Sequence, residues 1–158
     1  MPRKPVQGES VMPSGLVPAL ADVEAVRLLK FRGLPAPDRT LVAIEGETNI
    51  PFAIARVFTI TARRADLIGG QHAHLLCQQM LVCLSGACVV TCLGDPAQGE
   101  RRFELSGADT GLYIPASIWA QQLYLTQSTV LMVLCDRHFE ADDYIRDFEQ
   151  FKRYRAGH

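Results

Sequence analysis

The residues best suited to chemistry in this sequence are two histidines, His72 and His74, separated by a single alanine. On a β-strand, residues at i and i+2 point to the same face, so the two imidazoles would lie side by side. Such a pair can bind a metal ion, or it can transfer protons near neutral pH, where the pKa of histidine is suitable. The alternative is a structural role, with both rings hydrogen-bonded at a strand end. The preceding Gly69-Gly70 lets the backbone bend sharply or approach a ligand closely.

The cysteines do not provide a second candidate site. Their number is odd and no two have Cys-x-x-Cys spacing, which argues against a disulfide framework and against a zinc knuckle. We therefore expect small, buried and reduced hydrophobic residues. The five are Cys77, Cys83, Cys88, Cys92 and Cys135.

A β-rich framework must position the histidine pair, because most of the chain after residue 40 consists of short apolar runs. These runs are rich in Val, Ile, Leu and Thr and are separated by Gly, Pro, Asp and Ser, which indicates a sandwich or barrel. They span residues 41–44, 54–61, 80–84, 88–93, 103–105, 112–114, 122–125 and 129–135.

Turns and ends complete the predicted architecture. Ser85-Gly86 lies between two apolar runs and can form a tight hairpin turn. Near the C-terminus, aromatic residues at approximately helical spacing predict a helix that caps the barrel. Residues 1–37 are punctuated by proline and glycine, and we expect an N-terminal extension there and a single domain over residues 38–158. The aromatic residues of the predicted helix are Phe139, Tyr144, Phe148 and Phe151.

Composition excludes several classes of function. The 158 residues carry a net charge of -1, so no general basic field is available for nucleic acid or an anionic membrane. No apolar run reaches the roughly 18 residues of a membrane span, and no signal-peptide core is evident. We expect a soluble, cytoplasmic protein with no nucleic-acid or membrane partner.

The spacing around the histidines matches the first motif of the cupin fold. Gln79 follows His74 after four residues and Gly86 follows after six more, with glutamine where metal-binding cupins usually have glutamate. In the second motif, the positions of the usual glycine and histidine are Ser117 and Ala120. The predicted fold is therefore an all-β double-stranded β-helix, or jelly-roll barrel, with a short C-terminal helix. A site with two imidazoles and one amide is poor for a divalent ion, so we expect no metal.

From about residue 38 to 154 the sequence resembles the cupin sugar-nucleotide 3,4-ketoisomerases. The resemblance rests on several short segments, of which the string from Asp142 to Phe148 is the most specific, because barrel packing alone does not require it. The matching segments are 49–52 with Arg56-Val57, 70–74 with Gln79, 84–86, 111–115 with Trp119, and 142–148.

The resemblance implies an isomerase that moves the keto group of a dTDP-4-keto-6-deoxyhexose from C4 to C3 without a cofactor. His72 and His74 would shuttle the proton through an enediol, with His74 favoured as the base and His72 as its partner. The family also implies a homodimer, often with exchanged N-terminal strands. The pathway would be deoxysugar biosynthesis, for example for lipopolysaccharide O-antigen.

Four further residues are predicted to bind the substrate. Gln79 would hydrogen-bond a sugar hydroxyl, and Tyr113 and Trp119 would present flat apolar faces in the same cavity. Arg56 would meet a phosphate through its fork of donors. The alternatives are core packing for the two aromatic residues and a structural salt bridge for Arg56.

The sequence departs from the family around the presumed site. Tyrosines usually follow the Arg-Val pair, arginine usually precedes the histidines, lysine follows them, and arginine often follows the tryptophan. This leaves two alternatives open: a non-catalytic nucleotide-sugar-binding cupin, and a metal-dependent cupin enzyme. The corresponding residues here are Phe58–Thr61, 65–71, Leu75 and Ala120.

Overall fold

Two five-stranded antiparallel sheets and a small hairpin form the framework of this computed structural model, which describes residues 18–158. A single α-helix, α1 (Phe148–Ala156), follows the last strand. The first sheet has the order β1 (Arg27–Lys30), β9 (Thr110–Ile114), β6 (Gln79–Ser85), β11 (Val130–Cys135) and β4 (Arg56–Thr61). The second has the order β12 (Tyr144–Ile145), β5 (Leu67–His74), β10 (Trp119–Tyr124), β7 (Cys88–Leu93) and β8 (Glu100–Leu105). The hairpin pairs β2 (Gly33–Ala36) with β3 (Arg39–Val42).

Alternating burial along the strands packs the two sheets face to face. In β7 and β10 every second residue is buried, as expected for strands with one face in the core. Leu81, Leu112 and Leu131 of the first sheet share one core cluster with Val90 and Tyr124 of the second. The predicted all-β barrel with a short C-terminal helix is confirmed.

Most of the apolar runs that predicted strands are strands in the structure. The main omission is β5, whose eight residues include Gly69-Gly70 and Gln71 and therefore lack a continuous apolar pattern. The predicted helical spacing from Phe139 is wrong before residue 148, because Tyr144 lies in β12. Asp147 fixes the helix start: its carboxylate accepts a hydrogen bond from the Gln150 backbone N–H at 2.7 Å.

The segment before residue 38 contributes to the first sheet. Arg27–Lys30 forms β1 and pairs with β9, placing Leu28 opposite Leu112. Phe31, directly after β1, is almost fully buried. The division into an extension (1–37) and a domain (38–158) stays a prediction, and residues 1–17 lie outside the described part of the chain.

The cysteines agree with the sequence-based expectation. All five cysteines are free and buried, which confirms the prediction of reduced, buried residues. Within residues 18–158, no helix combines the length and apolarity that crossing a membrane requires.

The Ser85-Gly86 turn provides a test of backbone conformation. Gly86 has φ +74°, and a Cβ there would overlap Thr129 Oγ1 and lie 2.7 Å from Thr126 Oγ1. We expect Gly86→Ala to lower the free energy of unfolding by about 3 kcal/mol, from left-handed strain and overpacking together. Urea denaturation measures this loss.

Gly99→Ala is the matched control for Gly86→Ala. Gly99 has φ +85°, but nothing lies within 4 Å of a Cβ there, so only the strain of about 1 kcal/mol is expected. Equal losses in the two variants would contradict the role assigned to the two threonines.

Candidate active site

A bulge in β5 sets the direction of the two histidines. Ala120 of β10 is opposite His72, but the next residue, Gln121, is opposite Gly70, so Gln71 is extra. Gly70 and Gln71 both have positive φ, +75° and +57°. A Cβ on Gly70 would lie only 2.5 Å from Gln122 Oε1, so glycine also leaves room for that buried amide. Bulges of this kind redirect neighbouring side chains.

The two imidazoles are in direct contact. His72 Nε2 and His74 Nε2 are 3.2 Å apart, and the rings meet edge to face with centroids 4.9 Å apart. His74 is buried, whereas His72 is partly exposed. A proton can be shared or passed between these two nitrogen atoms.

Asp143 holds the other side of His74. Its Oδ2 lies 2.8 Å from His74 Nδ1, and both groups are buried. The backbone N–H groups of Leu76 and Cys77 also donate to this carboxylate, at 2.6 and 3.3 Å. Burial alone would raise the pKa of Asp143, but these three hydrogen bonds outweigh it and the pKa lies below its usual range. An ionised Asp143 orients the His74 ring so that Nε2 faces His72.

A cavity of about 230 Å³ opens between the two sheets beside His72. Its polar lining is formed by His72, Gln79, Gln122 and Arg146. The remaining side chains of the lining are apolar: Phe58, Ile60, Leu81, Leu131 and Val133. A hexose ring could be enclosed here with its polar groups directed at a few side chains.

Burial lowers the pKa of His72 to about 4. His72 is therefore neutral at physiological pH, whereas a histidine in the unfolded chain gains a proton near pH 6.5. Between these two values the unfolded state binds more protons, so the free energy of unfolding falls as the pH falls. His72 alone is expected to contribute a loss of roughly 3 kcal/mol between pH 7 and pH 4.

His72→Asn should remove this contribution. We expect the variant to lose less stability than the unchanged protein over this pH range, measured by urea denaturation at several pH values. His138→Asn, at an exposed position, is the control. Parallel curves for the His72 variant and the unchanged protein would contradict a buried neutral imidazole.

Comparison with known proteins places this geometry in a family. A family model described as FdtA, WxcM-like, C-terminal, matches residues 24–156. The chain is 34% identical over 130 residues to a TDP-4-oxo-6-deoxy-α-D-glucose-3,4-oxoisomerase of Aneurinibacillus thermoaerophilus, covering 82% of this chain and 92% of the relative.

The chain belongs to the sugar-nucleotide 3,4-ketoisomerase family.

Solved structures of ketoisomerases share the fold. A variant of the 3,4-ketoisomerase QdtA from Thermoanaerobacterium thermosaccharolyticum, in complex with TDP-4-keto-6-deoxyglucose, superposes with a TM-score of 0.79 at 31% identity. The match covers 84% of this chain and 94% of that one. The TDP-quinovose 3,4-ketoisomerase WlaRB from Campylobacter jejuni gives 0.75 at 28% identity, covering 81% and 97%. The predicted family, cupin fold and isomerase class are confirmed.

Two of the four substrate-binding residues predicted from sequence lie at or beside the cavity. Gln79 lines it, and its Nε2 lies 3.7 Å from Cys135 Sγ. Arg56 Nη2 lies 3.5 Å from both Cys135 Sγ and the Tyr144 hydroxyl. The neighbouring Cys77 thiol, together with hydrogen bonds from Arg56 and Gln79, lowers the pKa of Cys135. Arg56 is thus held in a polar cluster next to the cavity, and it has no carboxylate partner among residues 18–158.

The structure places Tyr113 and Trp119 outside the lining of this cavity, apart from Gln79, and their contacts with the substrate stay a prediction. Tyr113 is on the outer face of the first sheet, where its hydroxyl donates to Gln78 Oε1 at 2.6 Å. Trp119 faces away from the barrel interior and packs against Phe148 and Phe151. Their side chains alternate with the inward residues of β9 and β10, which explains both positions.

Sequence reasoning gave no role to Asp143, Tyr144 or Arg146, although their segment carried the family resemblance. The Tyr144 ring lies 5.0 Å from the His72 ring and 4.4 Å from the His74 ring, centroid to centroid. The pairing of β12 with β5 places Tyr144 opposite His74. The sequence of residues 142–148 could have indicated these three residues. Barrel packing does not explain this string, so its residues are candidates for the active site.

The cupin metal positions do not fit a divalent ion in this ketoisomerase. Gln79 and Ala120 supply an amide and a methyl group where a carboxylate and a third imidazole would be needed. Among residues 18–158, the one group of three potential ligands within 4.8 Å is His74, Cys77 and Asp143. It excludes His72, and hydrogen bonds already occupy both Asp143 oxygens.

Proposed function

We propose that this protein moves the keto group of a dTDP-4-keto-6-deoxyhexose from C4 to C3 by histidine acid–base chemistry. The observation that carries the proposal is the buried chain Asp143–His74–His72, which ends at a cavity between the sheets. The ligand class is supported by QdtA, a ketoisomerase solved with TDP-4-keto-6-deoxyglucose.

In this mechanism His72 faces the sugar and His74 holds the proton. The C4 ketone acidifies the proton on C3, and the proton passes to the pair across the 3.2 Å contact. A positive charge is better placed on His74, beside the Asp143 carboxylate, than on His72, whose pKa is lowered to about 4. Return of a proton to C4 leaves the ketone at C3.

The other predicted binding residues enter the proposal in two ways. Gln79 lines the cavity and is proposed to hydrogen-bond a sugar hydroxyl. Arg56, Tyr113 and Trp119 lie outside the lining, and substrate contacts by them stay predictions.

We further propose a cytoplasmic homodimer acting in deoxysugar biosynthesis. The five free, buried cysteines support a reducing compartment.

The test is incubation with dTDP-4-keto-6-deoxyglucose in deuterated water, followed by NMR of the sugar protons. We expect loss of the C3 proton signal and appearance of a 3-keto product. If neither change occurs with a folded protein and an authentic substrate, the proposed reaction is rejected.

A non-catalytic nucleotide-sugar-binding protein is the second candidate. The observation in its favour is that Phe58 and Ile60 present apolar side chains to the cavity, where family members usually have tyrosines. Titration with TDP separates the candidates: binding without exchange at C3 supports this second function.

A further inference from the structure

The proposed reaction develops a negative charge on O4 of the sugar, and the histidine pair is already assigned to the proton on C3. When the C3–H bond breaks, its electron pair forms the C3–C4 double bond and the carbonyl electron pair moves to O4. Protonation of C4, with transfer of the O3 proton to O4, then gives the C3 ketone. The intermediate is an enediolate, and an anion in a cavity walled by five apolar side chains is costly without a nearby cation or donor.

Among residues 18–158, Arg146 is the one residue with a permanent charge in the lining of this cavity, and it is exposed to solvent. Its guanidinium carbon lies 4.3 Å from the centroid of the Tyr144 ring, which itself packs on both imidazoles. Stacking on this ring fixes the guanidinium on the same side of the cavity as His72. Besides burial, the positive charge of Arg146 lowers the pKa of His72, as expected for neighbouring groups.

The donors of Arg146 are available. Within residues 18–158, its guanidinium has no hydrogen-bond acceptor and no carboxylate partner among the side-chain contacts found. The other nearby arginine, Arg56, is engaged with Tyr144 and Cys135 and does not line the cavity. A planar guanidinium with free N–H groups is suited to an oxyanion.

We propose that Arg146 is a catalytic residue, donating hydrogen bonds to the oxygen that becomes negatively charged in the enediolate. The inference deepens the proposed function and rests on it. The same guanidinium could instead bind the diphosphate of the substrate, which also has anionic oxygens. The experiment must therefore separate binding of the enediolate oxygen from binding of the diphosphate.

The experiment compares Arg146→Gln, Arg146→Lys and the unchanged protein in three measurements. These are kcat, the rate of C3 proton exchange in deuterated water, and the Kd for TDP by calorimetry. We expect Arg146→Gln to lower kcat and exchange by about 100-fold, as for loss of one oxyanion donor, with an unchanged Kd for TDP. Arg146→Lys keeps the charge but not the planar stack, so it should recover part of the rate.

Arg153→Gln is the matched control, because it removes the same charge from another exposed position, on α1 and outside the lining of the cavity. It should leave all three measurements unchanged. Normal kcat in Arg146→Gln, while the unchanged protein is active, would overturn this inference alone. A higher Kd for TDP that accounts for the whole loss of kcat/KM would overturn it in favour of the diphosphate. An inactive unchanged protein would overturn the inference together with the proposed function.

Discussion

Replacing His74 with asparagine is expected to lower kcat and C3 proton exchange by about 1,000-fold or more. His74 is the member of the pair that can hold the transferred proton, since its Nδ1 lies 2.8 Å from the Asp143 carboxylate and its Nε2 lies 3.2 Å from His72. General acid–base catalysis typically contributes 100- to 10,000-fold, and the group that holds the transferred proton is needed for most of that contribution. Steady-state kinetics and the deuterium experiment measure both quantities.

The control for His74→Asn is His138→Asn, which changes an exposed histidine outside the cavity. The Kd for TDP should stay the same in both variants, because the lost group acts on the sugar and not on the nucleotide. Exchange at the normal rate in His74→Asn would show that His74 does not hold the transferred proton.

Asp143→Asn is expected to reduce kcat by about 100- to 1,000-fold without removing either histidine. The ionised carboxylate accepts from His74 Nδ1, Leu76 N–H and Cys77 N–H. An amide has only one acceptor oxygen, so its NH₂ group must face donors. The arrangement with fewest conflicts gives His74 the tautomer with Nε2–H, which can no longer take a proton at the atom facing His72.

The position of the ring proton distinguishes this effect from a loss of structure. Nitrogen NMR of His74 should report Nδ1–H in the unchanged protein and Nε2–H in Asp143→Asn. The same variant should lose about 1–3 kcal/mol of stability, because a buried hydrogen-bond group is left unsatisfied. Asp142→Asn, at the exposed neighbouring position, should change neither property. An unchanged tautomer with reduced kcat would contradict the positioning role.

Local patterns made much of the architecture predictable. The run at residues 88–93 became β7 with burial at every second residue, since a two-residue period is a property of any strand with one face in a core. The turn at Ser85-Gly86 was predictable from its glycine, because glycine adopts positive φ without steric cost. The helix start was misplaced because aromatic spacing from Phe139 imitated a helical period, whereas the cap at Asp147 decided where the helix begins.

The sequence also determined which residues are candidates for chemistry, but not which ones meet. His72 and His74 share one strand, so their proximity followed from local geometry. Asp143 lies 69 residues from His74, and only the pairing of β12 with β5 brings the two together. The same pairing brings Tyr144 next to both imidazoles.

Tyr113 and Trp119 show that a suitable residue type does not by itself place a side chain in the cavity. Their residue types suggested a sugar-binding wall, yet the registers of β9 and β10 turn both side chains away from the cavity. A one-residue difference in register would reverse the face to which a side chain points. The sequence therefore determined the fold class and the histidine pair, because both depend on local periodicity. The tertiary structure decided the partners of that pair and the lining of the cavity, because these depend on contacts between strands far apart in the chain.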